Sequence, residues 1–314
     1  MDDLDVGSLH VQAPTEVIFL CGGRYDGPKE DGLKSLRHAF HCISEHPSLK
    51  GRDIILAEDV TRRSDFAKYY DNFLLFESDI AQITELVILF CESAGSFAEL
   101  GSFSSYEEIY RQMLVVIRDI YWEEDSFIKL GPLSFLKKKC GPSSVFVIRD
   151  DAIGIKSNYD NKDDISGLNI DKFKEVIQEP LRIRLEITKE PTTFNSSRTG
   201  HRIKLIVGLI QEYRALSVNE IVSAMAHFSV DATEAEVRCY LLCAHSVGWI
   251  EEKASGFDSY WIPIQENEAL NYPVSEQAEE RDRTRRRVKI LDHWRQKDHN
   301  RYRLVVPATQ EQDL

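Results

Sequence analysis

The chain has 314 residues, which allows two domains that each bury a core of their own. Hydrophobic residues make up 42% and charged residues 29%, a composition that excludes a disordered or fibrous protein. The net charge is −13, from 39 Lys and Arg against 52 Asp and Glu, and this opposes wrapping of the whole surface by nucleic acid.

No window approaches the length of uncharged apolar sequence that a membrane span needs, so we expect no membrane association. Residues 1–15 are acidic and lack an apolar stretch, which excludes a secretory signal and predicts a cytoplasmic protein. The six cysteines form no C-x-x-C pair, so we expect free thiols without a zinc or disulfide framework, and no metal site.

From Glu16 to Ile148, short β-branched runs alternate with amphipathic stretches, as in βαβ units with a buried parallel sheet. The predicted strands are Glu16–Cys21, Asp53–Ala57, Glu85–Phe90, Met113–Ile117 and Ser144–Ile148. The predicted helices between them are Leu33–Ser44, Asp65–Ile83 and Ser96–Tyr110. This alternation predicts an α/β, doubly wound, Rossmann-like or flavodoxin-like domain that binds ligands at the carboxyl ends of its strands.

The second half of the sequence predicts a small helical domain. Residues 150–167 are polar and turn-rich, as in a linker or an excursion from the core, and a bridging helix is expected over Asp171–Lys189. After the loop Pro191–Gly200, three helical patterns precede two short strands that flank Ala254–Asp258 as in a hairpin. The three helices are expected at His201–Tyr213, Val218–His227 and Thr233–Val247. This order predicts a winged helix-turn-helix.

Four segments follow from these patterns: a catalytic domain over 1–150, a linker with the bridging helix over 151–200, a winged helix-turn-helix over 201–264 and a basic tail over 265–314. Within the tail, Glu279–Arg303 carries ten Lys and Arg against five Asp and Glu.

Three predicted strands end in residues that a core does not need. Gly22-Gly23 follows the first, Glu58-Asp59 the second and Glu92-Ser93 the third. Because parallel strands end at one edge, we expect these residues to line one crevice, where a glycine turn admits a phosphate or a sugar close to the backbone.

Two carboxylates are predicted in that crevice: Glu92 at the strand end and Glu99 on the first turn of the following helix. A pair of this kind suits cleavage of a glycosidic bond, where a carboxylate stabilises or attacks the anomeric carbon. The alternative is structural, because Ser96-x-x-Glu99 also fits a capping box in which Glu99 accepts a backbone N–H.

The segment Gly95–Gly101 (GSFAELG) resembles the G-x-x-x-E-L/I-G segment of the nucleoside 2-deoxyribosyltransferase family, and FLCGG (Phe19–Gly23) is similar to that family's first strand and sugar-binding turn. The resemblance implies that Glu99 is the nucleophile that takes the sugar. It further implies a proton donor at Glu77, for which an exposed helical acid is the alternative. At Ser93 the family has an Asp that helps to bind the base, and Glu92 is the candidate substitute.

A more extensive resemblance is to effector proteins encoded beside reverse transcriptases in bacterial retrons, which join such a domain to a winged helix. The similar pieces are Phe19–Gly23, Ser35–His38, Glu58-Asp59, Val87–Ser104 and Phe127–Lys138. The resemblance implies an antiviral toxin restrained by the retron reverse transcriptase and its multicopy single-stranded DNA (msDNA), in a homo-oligomer or a larger retron assembly.

We therefore expect a substrate-binding set around the catalytic candidates Glu99, Glu77 and Glu92, in which Arg37 binds a phosphate or, as the alternative, forms a surface ion pair. The set is Cys21, Gly22, Gly23, Arg37, Glu58, Asp59, Ser93, Gly95 and Ser96. No cofactor is expected. The preferred substrate is NAD, because its cationic nicotinamide leaves as a neutral base and needs no general acid.

Three alternatives stay open. One is a nucleotide-sensing adaptor without catalysis, a second is deoxyribosyl transfer between bases, and a third is a phosphoribohydrolase with a related G-[ST]-x-x-E pattern. The last lacks support from the Pro-Gly-Gly that such enzymes carry before it.

The predicted recognition helix carries Glu234 and Glu236 at its start and Arg238 as its one cation, which disfavours readout of the DNA major groove and favours docking to a protein. The tail is the better candidate for contact with nucleic acid, although a solvated charged helix explains its composition equally well. The predicted contact residues are Arg281, Arg283, Arg285, Arg286, Arg287 and Lys289.

Overall fold

A computed structural model describes residues 8–25, 32–56, 58–59, 66–122, 125–187, 192–271, 274, 278 and 280–306. The predicted boundaries at Ala57, Asp65, Lys189, Pro191 and Glu279, together with residues 1–7, lie outside this set. The strands are β1 (His10–Val11), β2 (Val17–Gly22), β3 (Asp53–Leu56), β4 (Leu86–Cys91), β5 (Met113–Arg118), β6 (Val145–Ile148), β7 (Thr192–Thr193), β8 (Ile250–Ser255), β9 (Asp258–Pro263) and β10 (Leu270–Asn271). The α-helices are α1 (Leu36–Cys42), α2 (Phe66–Tyr69), α3 (Phe73–Ala81), α4 (Ala94–Phe103), α5 (Glu107–Tyr110), α6 (Asp119–Trp122), α7 (Ser134–Cys140), α8 (Ile170–Leu185), α9 (Thr199–Tyr213), α10 (Val218–His227), α11 (Glu234–Ser246), α12 (Arg283–Lys297) and α13 (His299–Val305).

The chain forms two compact units. The sheet unit comprises residues 16–63 and 84–189, and the helical unit comprises residues 1–15, 64–83 and 190–314. These units cut across the boundaries expected from the sequence, because the first 15 residues and the segment 64–83 belong with the C-terminal part of the chain. The chain is therefore a mixed α/β protein whose units are interleaved in sequence.

The sheet unit is built on five parallel strands in the order β3-β2-β4-β5-β6. All five correspond to strands predicted from the sequence. They consist almost entirely of apolar residues because both faces of the sheet are buried. The connections leave β2 and β4 in opposite directions along the sheet, so their carboxyl ends flank a topological switch point.

One face of the sheet packs against α1 and α8. Leu36 and Phe40 of α1 and Phe173 and Ile177 of α8 join a cluster with Phe90 and other strand residues. The predicted bridging helix is therefore part of the sheet unit's core. The segment before it also differs from the expectation of a linker, because Ile153, Ile155 and Ile165 are buried in the same cluster.

Two predicted helices are each split into two. In the predicted helix Asp65–Ile83, Asn72 caps a new helix by accepting the Leu74 amide, so α2 and α3 are separate. The predicted helix Ser96–Tyr110 divides into α4 and α5, because Ser104 and Ser105 donate their hydroxyls to the carbonyls of Leu100 and Gly101. Serine side chains that bond to the last carbonyls of a helix favour its termination.

In the helical unit, α9, α10 and α11 are followed by the antiparallel hairpin β8–β9, in the order predicted. Capping boxes at Ser217 and Thr233 start α10 and α11. The same unit contains a small antiparallel sheet, β10-β1-β7, which the sequence patterns did not reveal because each of its strands has only two residues. Among the described residues, the structure contains no helix long and apolar enough to cross a membrane.

Candidate functional site

The first feature of the site is the glycine turn at the end of β2. Gly22 has φ +107°, in the left-handed region, and a Cβ there would overlap the backbone of Phe90. The Gly23 amide donates to the Phe90 carbonyl at 3.2 Å, and a Cβ at Gly23 would overlap the Glu92 carboxylate. Both positions therefore require glycine, and the turn lies directly against the end of β4.

Glu99 faces this turn. Its carboxylate accepts a hydrogen bond from the backbone amide of Gly22, and burial raises its pKa from the ordinary 4.5 to about 7. Arg37 counteracts the shift and Glu58 adds to it. The Oε2 atom of Glu99 is buried and has no hydrogen-bond partner among the described residues. A carboxylate with a raised pKa and one uncommitted oxygen among the described residues is therefore held at the carboxyl end of the sheet.

The capping alternative for Glu99 is wrong, because the helix starts earlier than predicted. Ser93 is the N-cap of α4, and the capping box pairs Ser93 with Ser96. The Ser96 hydroxyl also accepts the amides of Glu92 and Ser93, at 3.0 and 2.9 Å. Glu99 thus lies in the second turn of α4, and the predicted ligands Ser93 and Ser96 serve the helix start. Gly95 in the first turn is exposed.

Glu92 has a different role from the one predicted. Its Oε2 and Oε1 atoms accept the amides of Leu36 and Arg37, at 2.8 and 2.9 Å, so the carboxylate caps α1. Burial raises its pKa to about 7, while the two amides and the charges of Arg118 and Arg37 oppose the rise. Both oxygens are committed to α1, so Glu92 ties the end of β4 to the start of that helix.

Arg37 is buried beneath the turn and is bound by protein groups. Its guanidinium makes a bidentate pair with Glu58, with distances of 2.6 and 2.7 Å, and donates to the carbonyls of Leu20, Gly22 and Gly23. One side chain thus fixes both glycine carbonyls and Glu58, and the expectation that Arg37 binds a phosphate stays a prediction.

The other predicted ligands lie around this centre. Cys21 is buried at the end of β2 with 2% exposure, whereas Asp59 is half-buried. Asp59 opposes the burial that lowers the pKa of His41. Cys91 is buried between the charges of Glu99 and Glu92, and burial raises the pKa of its thiol. Burial and the two neighbouring carboxylates therefore disfavour the thiolate form of Cys91.

A buried ion pair at the end of β5 was not predicted from the sequence. Arg118 Nε and Nη2 donate to the two carboxylate oxygens of Asp150, both at 2.7 Å, and both side chains are 1% exposed. The Ser157 hydroxyl donates to the same carboxylate. The signal available was an Arg directly after the apolar strand Met113–Ile117 and an Asp two positions after the strand Ser144–Ile148. The pair anchors the segment after β6 across the end of β5.

Glu77 belongs to α3 in the helical unit and is 3% exposed, so its interpretation as an exposed helical acid is wrong. Among the described residues no group of three or more His, Cys, Asp or Glu side chains could hold a metal ion.

The predicted nucleic-acid contacts in the tail fall into two groups. Arg283, Arg286 and Arg287 surround the buried carboxylate of Glu212, with N–O distances of 3.1, 3.4 and 3.7 Å. These three arginines therefore fix α12 to α9. The second group is exposed and consists of Arg281, Arg285 and Lys289.

Comparison with known proteins supplies the family. The model of the STM3845 retron effector protein family matches residues 33–252. The "Retron Ec73 putative ribosyltransferase/DNA-binding protein" of Escherichia coli is 25% identical over 228 residues, which cover 72% of this chain and 70% of that protein. The "Retron Ec86 putative ribosyltransferase/DNA-binding protein" of Escherichia coli is 28% identical over 169 residues, which cover 54% of this chain and 52% of that protein. Because the family match spans well over half of its residues, this chain belongs to the STM3845 retron effector protein family.

Proposed function

We propose that this chain is an antiviral retron effector that cleaves the N-glycosidic bond of a nucleotide. The preferred substrate is NAD, and Glu99 is the nucleophile. The observation that carries the proposal is the Glu99 carboxylate, whose Oε2 is buried without a partner among the described residues while the group faces the Gly22 amide. A buried acceptor without a donor is costly, so its presence at the carboxyl end of a parallel sheet favours a ligand-directed role.

The reaction follows from this geometry. A Glu99 oxygen attacks C1′ of the ribosyl group, the C1′–N bond breaks, and the base leaves with the bonding electron pair. Nicotinamide is cationic at that nitrogen before cleavage and neutral after it, so no proton is needed. Water then attacks C1′ and the bond from C1′ to the Glu99 oxygen breaks, which returns the carboxylate, gives the sugar product its new hydroxyl and releases one proton to solvent.

The charges around the turn support a cationic leaving group. Glu99 and Glu58 lie near the turn with Arg37, which is already paired with Glu58. A positive nicotinamide ring stabilises the anionic form of Glu99, the form that attacks. A neutral deoxynucleoside lacks this effect and requires a general acid, so deoxyribosyl transfer is the second choice.

The fold proposed for the sheet unit is a doubly wound, nucleoside deoxyribosyltransferase-like domain. Support comes from its strand order, which places β2 next to both β3 and β4 as in flavodoxin-like sheets. Support also comes from the relatives whose names include ribosyltransferase.

The second proposed function is docking to the nucleic acid and protein of the retron. Membership of a retron effector family links the chain to the components of such a system. We infer that α9–α11 and the hairpin β8–β9 form a winged helix that docks to the reverse transcriptase. The exposed Arg281, Arg285 and Lys289 then neutralise phosphates of msDNA or its RNA.

The test of the proposed activity is an incubation of the purified full chain with NAD and, separately, with deoxynucleosides, followed by detection of free base. We expect nicotinamide release by the wild type and a loss of at least ~100-fold in Glu99→Gln. Glu175→Gln, an exposed acid of the same unit, is the matched control and retains activity. Binding of NAD without release of base from any substrate would instead favour a nucleotide-sensing adaptor.

A further inference from the structure

The sheet unit contains a cavity that the proposed chemistry does not use. Its volume is about 400 Å³, within the range of small-molecule sites. One wall is formed by Leu33 and Lys34, which precede α1, and the opposite wall by residues 163–168, which precede α8. None of the residues assigned to cleavage lines it.

Both walls belong to loops at the carboxyl end of the sheet. Leu33 and Lys34 follow the glycine turn after β2 and precede α1, whose start is held by the Glu92 carboxylate at the end of β4. On the other wall, the Lys162 carbonyl accepts a hydrogen bond from Arg118 at the end of β5, and Asp163 accepts one from the Tyr121 hydroxyl at 2.8 Å. The cavity therefore lies at the same end of the sheet as Glu99, whose carboxylate faces the turn after β2.

The wall formed by residues 163–168 is fixed in place before any ligand binds. Arg118 is fixed by its buried pair with Asp150, and its Nη1 atom donates to the carbonyl of Lys162, the residue directly before this wall. Ile165 is buried in the core of the sheet unit, and Asp164 accepts the Ser166 amide at 2.8 Å. A wall with these restraints loses little conformational entropy on binding.

The lining has the chemistry of a nucleoside site. Leu33, Ile165 and Leu168 supply apolar surface for a base, and Asp163 and Asp164 supply carboxylates that accept ribose hydroxyls. With two acids against Lys34, the lining carries a net negative charge, which disfavours phosphate groups.

We propose that this cavity binds the second nucleoside of a dinucleotide substrate, the adenosine of NAD, while the ribosyl group that is cleaved lies at Glu99. The ribose hydroxyls of that adenosine donate to Asp163 and Asp164, and its base lies against the apolar residues. This inference rests on the proposed function and deepens it, because it explains how the site selects a dinucleotide over a single nucleoside.

The first test fills the cavity. NAD is titrated calorimetrically into the full-length Glu99→Gln protein and into the same protein carrying Ser166→Trp. We expect the dissociation constant for NAD to rise at least tenfold, while nicotinamide mononucleotide, which lacks the second nucleoside, changes less than twofold. Lys156→Trp, exposed on the same segment and outside the lining, is the matched control and changes neither ligand. Circular dichroism and thermal melting verify folding.

The second test changes charge. In Asp163→Asn the amide oxygen still accepts the Tyr121 hydroxyl, and the lost charge removes the repulsion of a 2′-phosphate. We expect the preference for NAD over NADP to fall several-fold, with Asp160→Asn as the unaffected control. An unchanged NAD affinity in Ser166→Trp, an equal loss for NAD and nicotinamide mononucleotide, or no binding of NAD at all would overturn the inference. If NAD binding changes in these variants as expected but the wild type releases no nicotinamide, the proposed cleavage is refuted and the binding site is retained.

Discussion

The amide of Gly22 hydrogen-bonds to the carboxylate of Glu99, which joins the turn after β2 to the second turn of α4. Gly22 has φ +107°, which favours glycine, and its carbonyl accepts a hydrogen bond from Arg37. The orientation of the proposed nucleophile therefore depends on a glycine and an arginine that are remote from it in sequence.

The first prediction concerns the glycine. Gly22→Ala is expected to lower the free energy of unfolding by about 2–4 kcal/mol, because a Cβ is strained at this φ and overlaps Phe90. The measurement is urea denaturation of the full chain. Gly101→Ala, in α4 where the added Cβ meets nothing within 4 Å, is the control and is expected to be neutral or stabilising. Equal stability of the two variants would contradict the strained turn.

The second prediction concerns the pH dependence of cleavage. Glu99 must be ionised to attack C1′, and burial raises its pKa to about 7. The value of kcat/KM is therefore expected to rise about tenfold per pH unit below this pKa and to level off above it. The measurement is the rate of nicotinamide release at pH 5 to 9. A profile already flat at pH 5 would mean that Glu99 is not the titrating group.

The third prediction concerns stability and pH. Since the pKa of Glu99 is raised above its ordinary 4.5, its stabilising contribution is complete below pH 4.5 and is lost as pH rises through about 7. Replacement by an uncharged amide removes this loss. Glu99→Gln is expected to exceed the wild type in free energy of unfolding by roughly 2–3 kcal/mol at pH 8.5, with no gain at pH 4. Denaturation at both pH values measures the difference, and a gain of the same size at pH 4 would rule out the titration as its cause.

The fourth prediction separates Glu92 from catalysis. Glu92→Ala leaves the amides of Leu36 and Arg37 without acceptors at the buried start of α1, which is expected to cost about 2–4 kcal/mol. Glu92→Gln keeps an amide oxygen for one of them and is expected to lose less stability and to retain nicotinamide release. Urea denaturation and the nicotinamide assay measure the two effects, with the exposed Glu45→Ala as the control. A folded Glu92→Gln protein that is as inactive as Glu99→Gln would show that Glu92 takes part in catalysis.

The fifth prediction divides the basic tail. The double variant Arg285→Ala/Lys289→Ala is expected to leave the melting temperature unchanged and to weaken binding to single-stranded DNA, with a smaller dependence on salt. Arg286→Ala is expected to lower the melting temperature and to leave the affinity for single-stranded DNA unchanged, because the Arg286 guanidinium contacts the buried Glu212 carboxylate. Thermal melting and fluorescence anisotropy at two salt concentrations distinguish the variants. Unchanged DNA affinity in the double variant would contradict the assignment of Arg285 and Lys289 as nucleic-acid contacts.

The strands and the order of the helices could be predicted from sequence because they depend on local patterns. Apolar runs mark strands buried on both faces, and the capping residues Ser217 and Thr233 mark helix starts. Helix length was less predictable, since Asn72 and Ser104 end or restart helices through single side-chain bonds inside otherwise helical patterns.

The roles of individual polar residues could not be predicted in the same way. Glu92 caps a helix that starts 56 positions earlier, and Asp150 pairs with an arginine 32 positions before it. Arg37 is the clearest case, because its partner Glu58 and its glycine carbonyls meet only in the folded sheet unit. Such roles depend on which strands become neighbours, and neither composition nor spacing contains that information.

The most direct test of the central claim is to trap the bond to Glu99. The full chain is incubated with an NAD analogue whose reacting ribose carries an electron-withdrawing 2′-fluorine, which slows hydrolysis of the glycosyl ester, and its peptides are then analysed by mass spectrometry. We expect release of nicotinamide together with a glycosyl mass increment on Glu99 that is absent in Glu99→Gln. Turnover of NAD without any adduct, or an adduct on another side chain, would contradict it.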